Sequence, residues 1–422
     1  MAAVRGRRAA VALLGAAVWV GCRGEARPVG AVAYADKVAA DVPQIEKALG
    51  VPFKRPPKLE VRTRAQVRQF VLAQLDDSTS RHELAGKEAT YKVLGLIPDT
   101  MNTRQLFVDL YSEQILGYYD PKSKVLYVAQ GAPDEYVGIT IMHELVHALQ
   151  DQYVNLDSLL RQTGDDDRQM AAQAVIEGEA TYEQLRVMVG GKNNIAANLP
   201  GGWDRMREMI RDDRSQPVFT AAPMAIREEL LFPYINGADF VRRYKDHGAP
   251  GLPFQAMPQS TEQVMHDRAY FGAARDEPVH VTLPATPNEI YQNTLGEFDT
   301  RLFLFAHLRD QEAASRAAIG WGGDRYAVVR TAHGNALTWV TVWDSALDAA
   351  EFVDVLGQAV ERRYRITAPT IGRDGVRTFA AQARTVVVTP TEISGKNVVL
   401  VVDVPSGTSP QLVDLRRVVL SG

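Results

Sequence analysis

The chain is 422 residues long, enough for two or three domains that each bury a core of their own. A hydrophobic share of 46%, a charged share of 23% and ordinary glycine and proline counts describe a globular protein and exclude a disordered or fibrous one. The formal net charge of -4, with no basic patch interleaved with aromatics, excludes nucleic acid as an expected partner.

At the N-terminus, Arg5, Arg7 and Arg8 precede the apolar run AAVALLGAAVWVG (9–21). That run is short for a bilayer-spanning helix but suits the core of a signal peptide. It ends at Cys22, the only cysteine of the chain, with Gly21 before it. Residues 1–22 therefore resemble a bacterial lipoprotein signal, departing from it at Trp19, where that signal usually has Leu. The expectation is an extracytoplasmic protein tethered to the bacterial cell envelope by a lipid on Cys22. With no second cysteine, no disulfide holds it together.

Further along, LEVRT (59–63) reads as a strand, and 64–76 as a helix with Val67, Phe70, Val71 and Leu75 on one side. Helical stretches near 83–94 and 103–115 lead to GYYDPKSKVLYV (117–128), a β-hairpin about Asp-Pro-Lys-Ser. A helix over roughly 136–153 carries Met142, Leu145, Val146 and Leu149 as its apolar stripe. The aspartates of LDSLLRQTGDDDR (156–168) lack the alternating spacing of a calcium loop; they stand where carboxylates cap the next helix, 169–189. Helical pieces fill 203–245 and 286–308, separated by proline-rich linkers at 249–260 and 278–287. Beyond residue 320 the pattern changes to strands and one amphipathic helix, closed by a helix near 410–419. This predicts a small α+β domain, ββαββα in order, over 311–422, after a mainly helical domain over 23–310.

The chemistry concentrates in IMHELVHALQ (141–150). Of eight histidines in the chain, His143 and His147 stand four apart, on one face of their helix, where two imidazoles can meet one metal ion. Glu144 points beside that ion, placed to take a proton from water, which is the mechanical content of H-E-x-x-H. A catalytic Zn2+ needs a third ligand, and IEGEAT in helix 169–189 offers Glu177 and Glu179. Two residues apart on a helix is about 200°, so only one of them can face the metal. The Glu177 stripe carries Ala174, Ala180 and Thr181 with Gly178 beside it, which lets two helices approach. The Glu179 stripe has the bulkier Val175, Ile176 and Tyr182. Glu177 is the expected ligand and Glu179 the alternative. His82, His247, His280, His307 and His333 have no partner at ligand spacing.

HELVHALQDQ followed by EGEAT resembles the gluzincin class of zinc metallopeptidases, and more closely a group of bacterial secreted or lipoprotein members of it. The likeness extends to EQILGYYD (113–120), FPYINGADFV (232–241), STEQVMH (260–266) and GWGGDRY (320–326). It implies a mainly helical zincin-like domain with a small antiparallel sheet, within an α+β protein. It also implies zinc on His143, His147 and Glu177, Glu144 as base, and a peptide or protein substrate. The hairpin 117–128 would be the edge along which an extended peptide lies. Many gluzincins have Asp four residues after the glutamate ligand, where this chain has Thr181, leaving Asp151 to support a histidine. His266 and Tyr234 are the candidates to stabilise an oxyanion, although Ser260 also suits a helix cap with Gln263 reaching back. GWGGDRY reads as a tight turn into a strand. Two other functions fit the same residues: a lipid-anchored binding or scaffold protein with a structural zinc, and a zinc hydrolase of non-peptide amides.

Overall fold

The computed structural model describes residues 31–159, 163–188, 207–208, 210–211, 215–366 and 368–422. The signal, its Cys22 and the first residues of the stretch 203–245 lie outside them. Among the described residues no helix is long and apolar enough to cross a membrane.

The protein is mixed α+β. Helix α1 (Ala31–Leu49) leads through β1 (Lys58–Arg62) to α2 (Arg64–Leu75), α3 (Ser78–Leu94) and α4 (Thr103–Gln114). The hairpin β2 (Gly117–Asp120) and β3 (Val125–Ala129) follows, then α5 (Asp134–Gln150), α6 (Leu156–Leu159) and α7 (Asp166–Met188). Next come α8 (Pro217–Ala221), α9 (Met224–Asp246), α10 (Thr261–Met265) and α11 (Asp267–Phe271). Strand β3 lies between β1, to which it is parallel, and β2, to which it is antiparallel, so the small sheet is mixed rather than antiparallel as expected.

Helix α5 is buried on every side from Ile141 to Gln150, against α1, α7 and the hairpin. The sequence suggested one apolar stripe, but a helix enclosed on all sides must bury its polar residues too, and each needs a partner. Those partners build the site described below. At the start of α7, Asp165 accepts from the Arg168 N–H at 3.1 Å, the cap expected of the aspartate run. Asp167 instead reaches across to receive the backbone N–H of Thr261 at 3.0 Å.

Strands β4 (His280–Thr282) and β5 (Glu289–Asn293) precede α12 (Gly296–Leu308) and α13 (Gln311–Arg316). Then follow β6 (Trp321–Thr331), β7 (Gly334–Trp343), α14 (Ala346–Tyr364), β8 (Thr370–Ile371), β9 (Arg377–Ala380), β10 (Arg384–Ile393) and β11 (Lys396–Pro405). These make a seven-stranded antiparallel sheet in the order β5-β6-β7-β11-β10-β9-β8. Two expectations change here. The stretch 286–308 is not helical throughout, because Glu289–Asn293 pairs with β6 as the sheet's outer strand, so the sheet reaches back across residue 311. The closing helix near 410–419 is a single 3-10 turn, Leu415–Arg417, followed by β12 (Val419–Ser421), which pairs with β4.

One hydrophobic core runs from Tyr34 through the helical part to Val401 of β11. Asp324 in GWGGDRY clamps the two parts. Its carboxylate accepts from the N–H groups of Leu295 and Gly296 at the start of α12, at 3.0 and 2.9 Å, and from the indoles of Trp321 and Trp339, at 3.2 and 2.9 Å. The segment read as a tight turn is thus the anchor of the sheet to the helices.

Candidate metal centre

Helix α5 delivers His143 and His147 to one point, with ring centroids 4.8 Å apart and planes at 83°. Helix α7 delivers Glu177 to the same point. Its Oε2 stands 3.2 Å from His143 Nε2 and 3.3 Å from His147 Nε2, and all three residues are buried. Among the described residues this trio forms one of the groups able to hold a metal ion. Glu179, two residues on, faces away and accepts from Gln150 Nε2 at 2.9 Å, as the 200° argument requires.

Two glutamines orient the imidazoles. Gln150 Nε2 donates to the Ile176 carbonyl at 3.2 Å and to Glu179, so its Oε1 must face His147 Nδ1, 2.9 Å away. An amide oxygen there requires a proton on Nδ1, which leaves the Nε2 lone pair pointing at Glu177. Gln184 Oε1 does the same for His143 Nδ1 at 3.0 Å. These supports replace Asp151, which belongs elsewhere: its Oδ2 receives the Tyr119 hydroxyl at 2.7 Å and the Lys124 ammonium at 2.6 Å. Thr181 is buried with its hydroxyl unbonded.

The donor set fits zinc. Ligand atoms bound tetrahedrally at 2.0–2.1 Å stand about 3.3 Å apart, the spacing found between Glu177 Oε2 and the two Nε2 atoms. His147 Nε2 is buried and makes no hydrogen bond, an orphan that a cation would satisfy. The electrostatics agree. Burial works to raise Glu177, but His147 and His143 hold it down at about 2. Burial works to lower His147, yet Glu177 lifts it to about 9, while burial leaves His143 below its ordinary value. The Glu177 carboxylate would stabilise a positive charge at the centre of the trio. We expect Gln184→Ala to weaken zinc binding by about 10- to 100-fold, measured by competition with a chromophoric chelator; unchanged affinity would show that this hydrogen bond orients nothing.

Glu144 is fully buried beside the trio. One oxygen accepts from the Tyr119 N–H at 2.8 Å, and the other has no partner. Burial, against the pull of His147, raises its carboxyl to about 8, so it is a group that holds a proton readily near neutrality. The edge of β2 consequently differs from the expectation. Gly117–Tyr119 are buried, and the outward N–H that an added peptide strand would use at Tyr119 is already taken by Glu144.

Tyr234 of α9 lies over His143, ring centroids 6.2 Å apart and planes at 28°. His266 is not at the centre. Its Nε2 pairs with Glu297 at 2.7 Å and it feels Arg243, which is nine residues, about 13 Å, further along α9 than Tyr234. Ser260 caps α10 through the Gln263 N–H, as its sequence suggested, while Gln263 Oε1 reaches Gln259 instead. None of the other five histidines joins a candidate metal group among the described residues.

Gly178 meets α9 rather than α5. A methyl group on it would strike the Gly237 backbone, and one on Gly237 would strike the Ala174 carbonyl. With Glu183 paired to Lys245 further on, α7 and α9 run in the same direction and touch backbone to backbone. Gln150 and Gln184 hydrogen-bond the two imidazoles, and Gly237 lets α9 lie against α7; none of the three was singled out in the sequence. Gln184 did carry a signal, lying seven residues after Glu177 on the same face of α7.

A family model described as a domain of unknown function (DUF8575) matches residues 284–414, the sheet and its helices, without reaching His143, His147 or Glu177. No curated protein and no solved structure matches the chain.

Proposed function

We propose that the protein is a zinc-dependent metallopeptidase of zincin-like architecture, with His143, His147 and Glu177 holding the metal and Glu144 as general base. It would act outside the cytoplasm, at the envelope through Cys22. The observation that carries this reading is the pairing of two arrangements: a ligand trio oriented by Gln150 and Gln184, and beside it a carboxylate with one oxygen fixed and one free.

Bound there, zinc would supply Lewis acidity and make a water molecule acidic enough to lose a proton near neutral pH. Glu144 takes that proton on its free oxygen while the Tyr119 N–H keeps the carboxylate from rotating. As the water oxygen bonds to the carbonyl carbon, Glu144 would return that proton to the departing amine, so the C–N bond breaks and leaves a carboxylic acid and a neutral nitrogen. Burial on all sides of α5 excludes bulk water and strengthens each of these interactions. A structural zinc has no use for a buried, half-free glutamate, which is why the scaffold reading ranks second.

The test is metal analysis of the purified soluble chain with a peptide-library digest run with and without chelator. One zinc per chain is expected, with cleavage that stops on chelation and returns with zinc. Cleavage indifferent to the chelator sinks the proposal, and bound zinc without any cleavage favours the scaffold.

A further inference from the structure

The two helices flanking the centre open, one turn below it, onto a cavity of about 190 Å³, room for one side chain rather than a whole ligand. Gln173 lies one turn before Glu177 on α7, and Leu230 one turn before Tyr234 on α9; both line this cavity. Tyr111 of α4 lines it too, close enough to Glu177 and Glu229 for both carboxylates to act on its hydroxyl. The cavity therefore lies beside the helical turns that precede Glu177 and Tyr234.

Its charge is lopsided. Glu83, Asp166 and Glu229 line it against one cation, Lys87. Glu229 takes that cation, its Oε1 2.6 Å from Lys87 Nζ, and also receives the Tyr91 hydroxyl. Glu83 and Asp166 are met by neutral donors, the Tyr291 hydroxyl and the Asn293 amide, the latter at 2.8 Å. Glu83 thus has no cation against it, and Asp166 shares the single cation Lys87 with Glu229. Polar capacity is idle as well: Ser80 is 1% exposed and its hydroxyl, on the cavity wall, has no partner. That hydroxyl is free to donate to or accept from whatever enters the cavity. The remaining wall is apolar, with Leu75, Leu84, Phe107 and Met170, suited to the methylenes of a long side chain.

We propose that this cavity receives a lysine or arginine side chain of the peptide, beside the bond cut at the metal centre, with Glu83 and Asp166 taking its charge. The proposal rests on the hydrolase reading for the cut, but not for the recognition. It makes the protein selective for basic residues, with the α3 and α7 carboxylates as the selector.

Arginine and citrulline peptides differ in charge but hardly in shape, so they are the probes. For peptides identical except at this residue, the zinc-loaded protein is expected to favour arginine by about 10- to 100-fold in kcat/KM, the worth of a charge-assisted hydrogen bond. Glu83→Gln should cut that ratio by about tenfold, with zinc content and melting temperature as folding controls. A ratio near one, or a ratio unmoved by Glu83→Gln, overturns the proposal. Should no peptide be cut, the hydrolase reading fails separately, and calorimetric binding of the same peptides decides. A tenfold arginine preference that Glu83→Gln erases supports a basic-side-chain site, and equal affinities end it.

Discussion

Glu144→Gln is expected to lower kcat/KM by about 10³-fold or more while zinc stays bound at one per chain. The amide is the same size as the carboxylate and still accepts the Tyr119 N–H, so the fold has no reason to change. It cannot take up a proton, and among the described residues the neighbouring acids are engaged: Glu177 with the two histidines and Glu179 with Gln150. Burial of Glu144 adds a second expectation. A buried carboxyl raised to about 8 is largely neutral at neutral pH, so the neutral amide changes little and the variant should melt close to the parent. The measurement is steady-state kinetics on a cleavable peptide, with zinc analysis and a thermal melt on the same sample. Turnover that survives would remove Glu144 from the mechanism, and zinc lost together with turnover would make it a structural residue.

Much of this centre was legible because its geometry is local. His143 and His147 lie one turn apart, and the choice of Glu177 over Glu179 follows from the angle between adjacent helical positions. The hairpin, the strand Lys58–Arg62, the capping Asp165 and the helix cap at Ser260 are equally local. What escaped depends on distant partners. Gln150 and Gln184 are ordinary helix residues until two histidines stand opposite them. Asp151 was expected behind a histidine because it follows the motif. It lies at the end of α5 facing the hairpin, so it holds Tyr119, and through Tyr119 it steadies Glu144. Glu289–Asn293 passed for part of a helix, since a five-residue strand at a sheet edge is decided by its neighbour β6 rather than by its own propensity. His266 stood in a segment resembling a catalytic one, yet its partner Glu297 belongs to α12.

The second large effect concerns a residue that touches no ligand. Gly237→Ala should destabilise the protein by about 3 kcal/mol or more, beyond the usual cost of overpacking, because the added methyl meets backbone rather than a side chain that could turn aside. The Ala174 carbonyl belongs to the hydrogen-bond ladder of α7, so relief requires α7 and α9 to separate as rigid bodies. Separation moves Tyr234 off His143 and shifts Leu230 and Glu229 at the cavity wall, so zinc affinity and peptide selectivity should fall together. Gly178→Ala strikes the same contact from the other side. Once the helices have parted for one methyl the second costs less, and the double variant should be less destabilised than the sum of the two singles. Denaturant unfolding of the four proteins measures this. Additive losses would mean that each glycine is constrained by its own surroundings, and a Gly237→Ala variant as stable as the parent would mean that α7 and α9 stand further apart than their glycines imply.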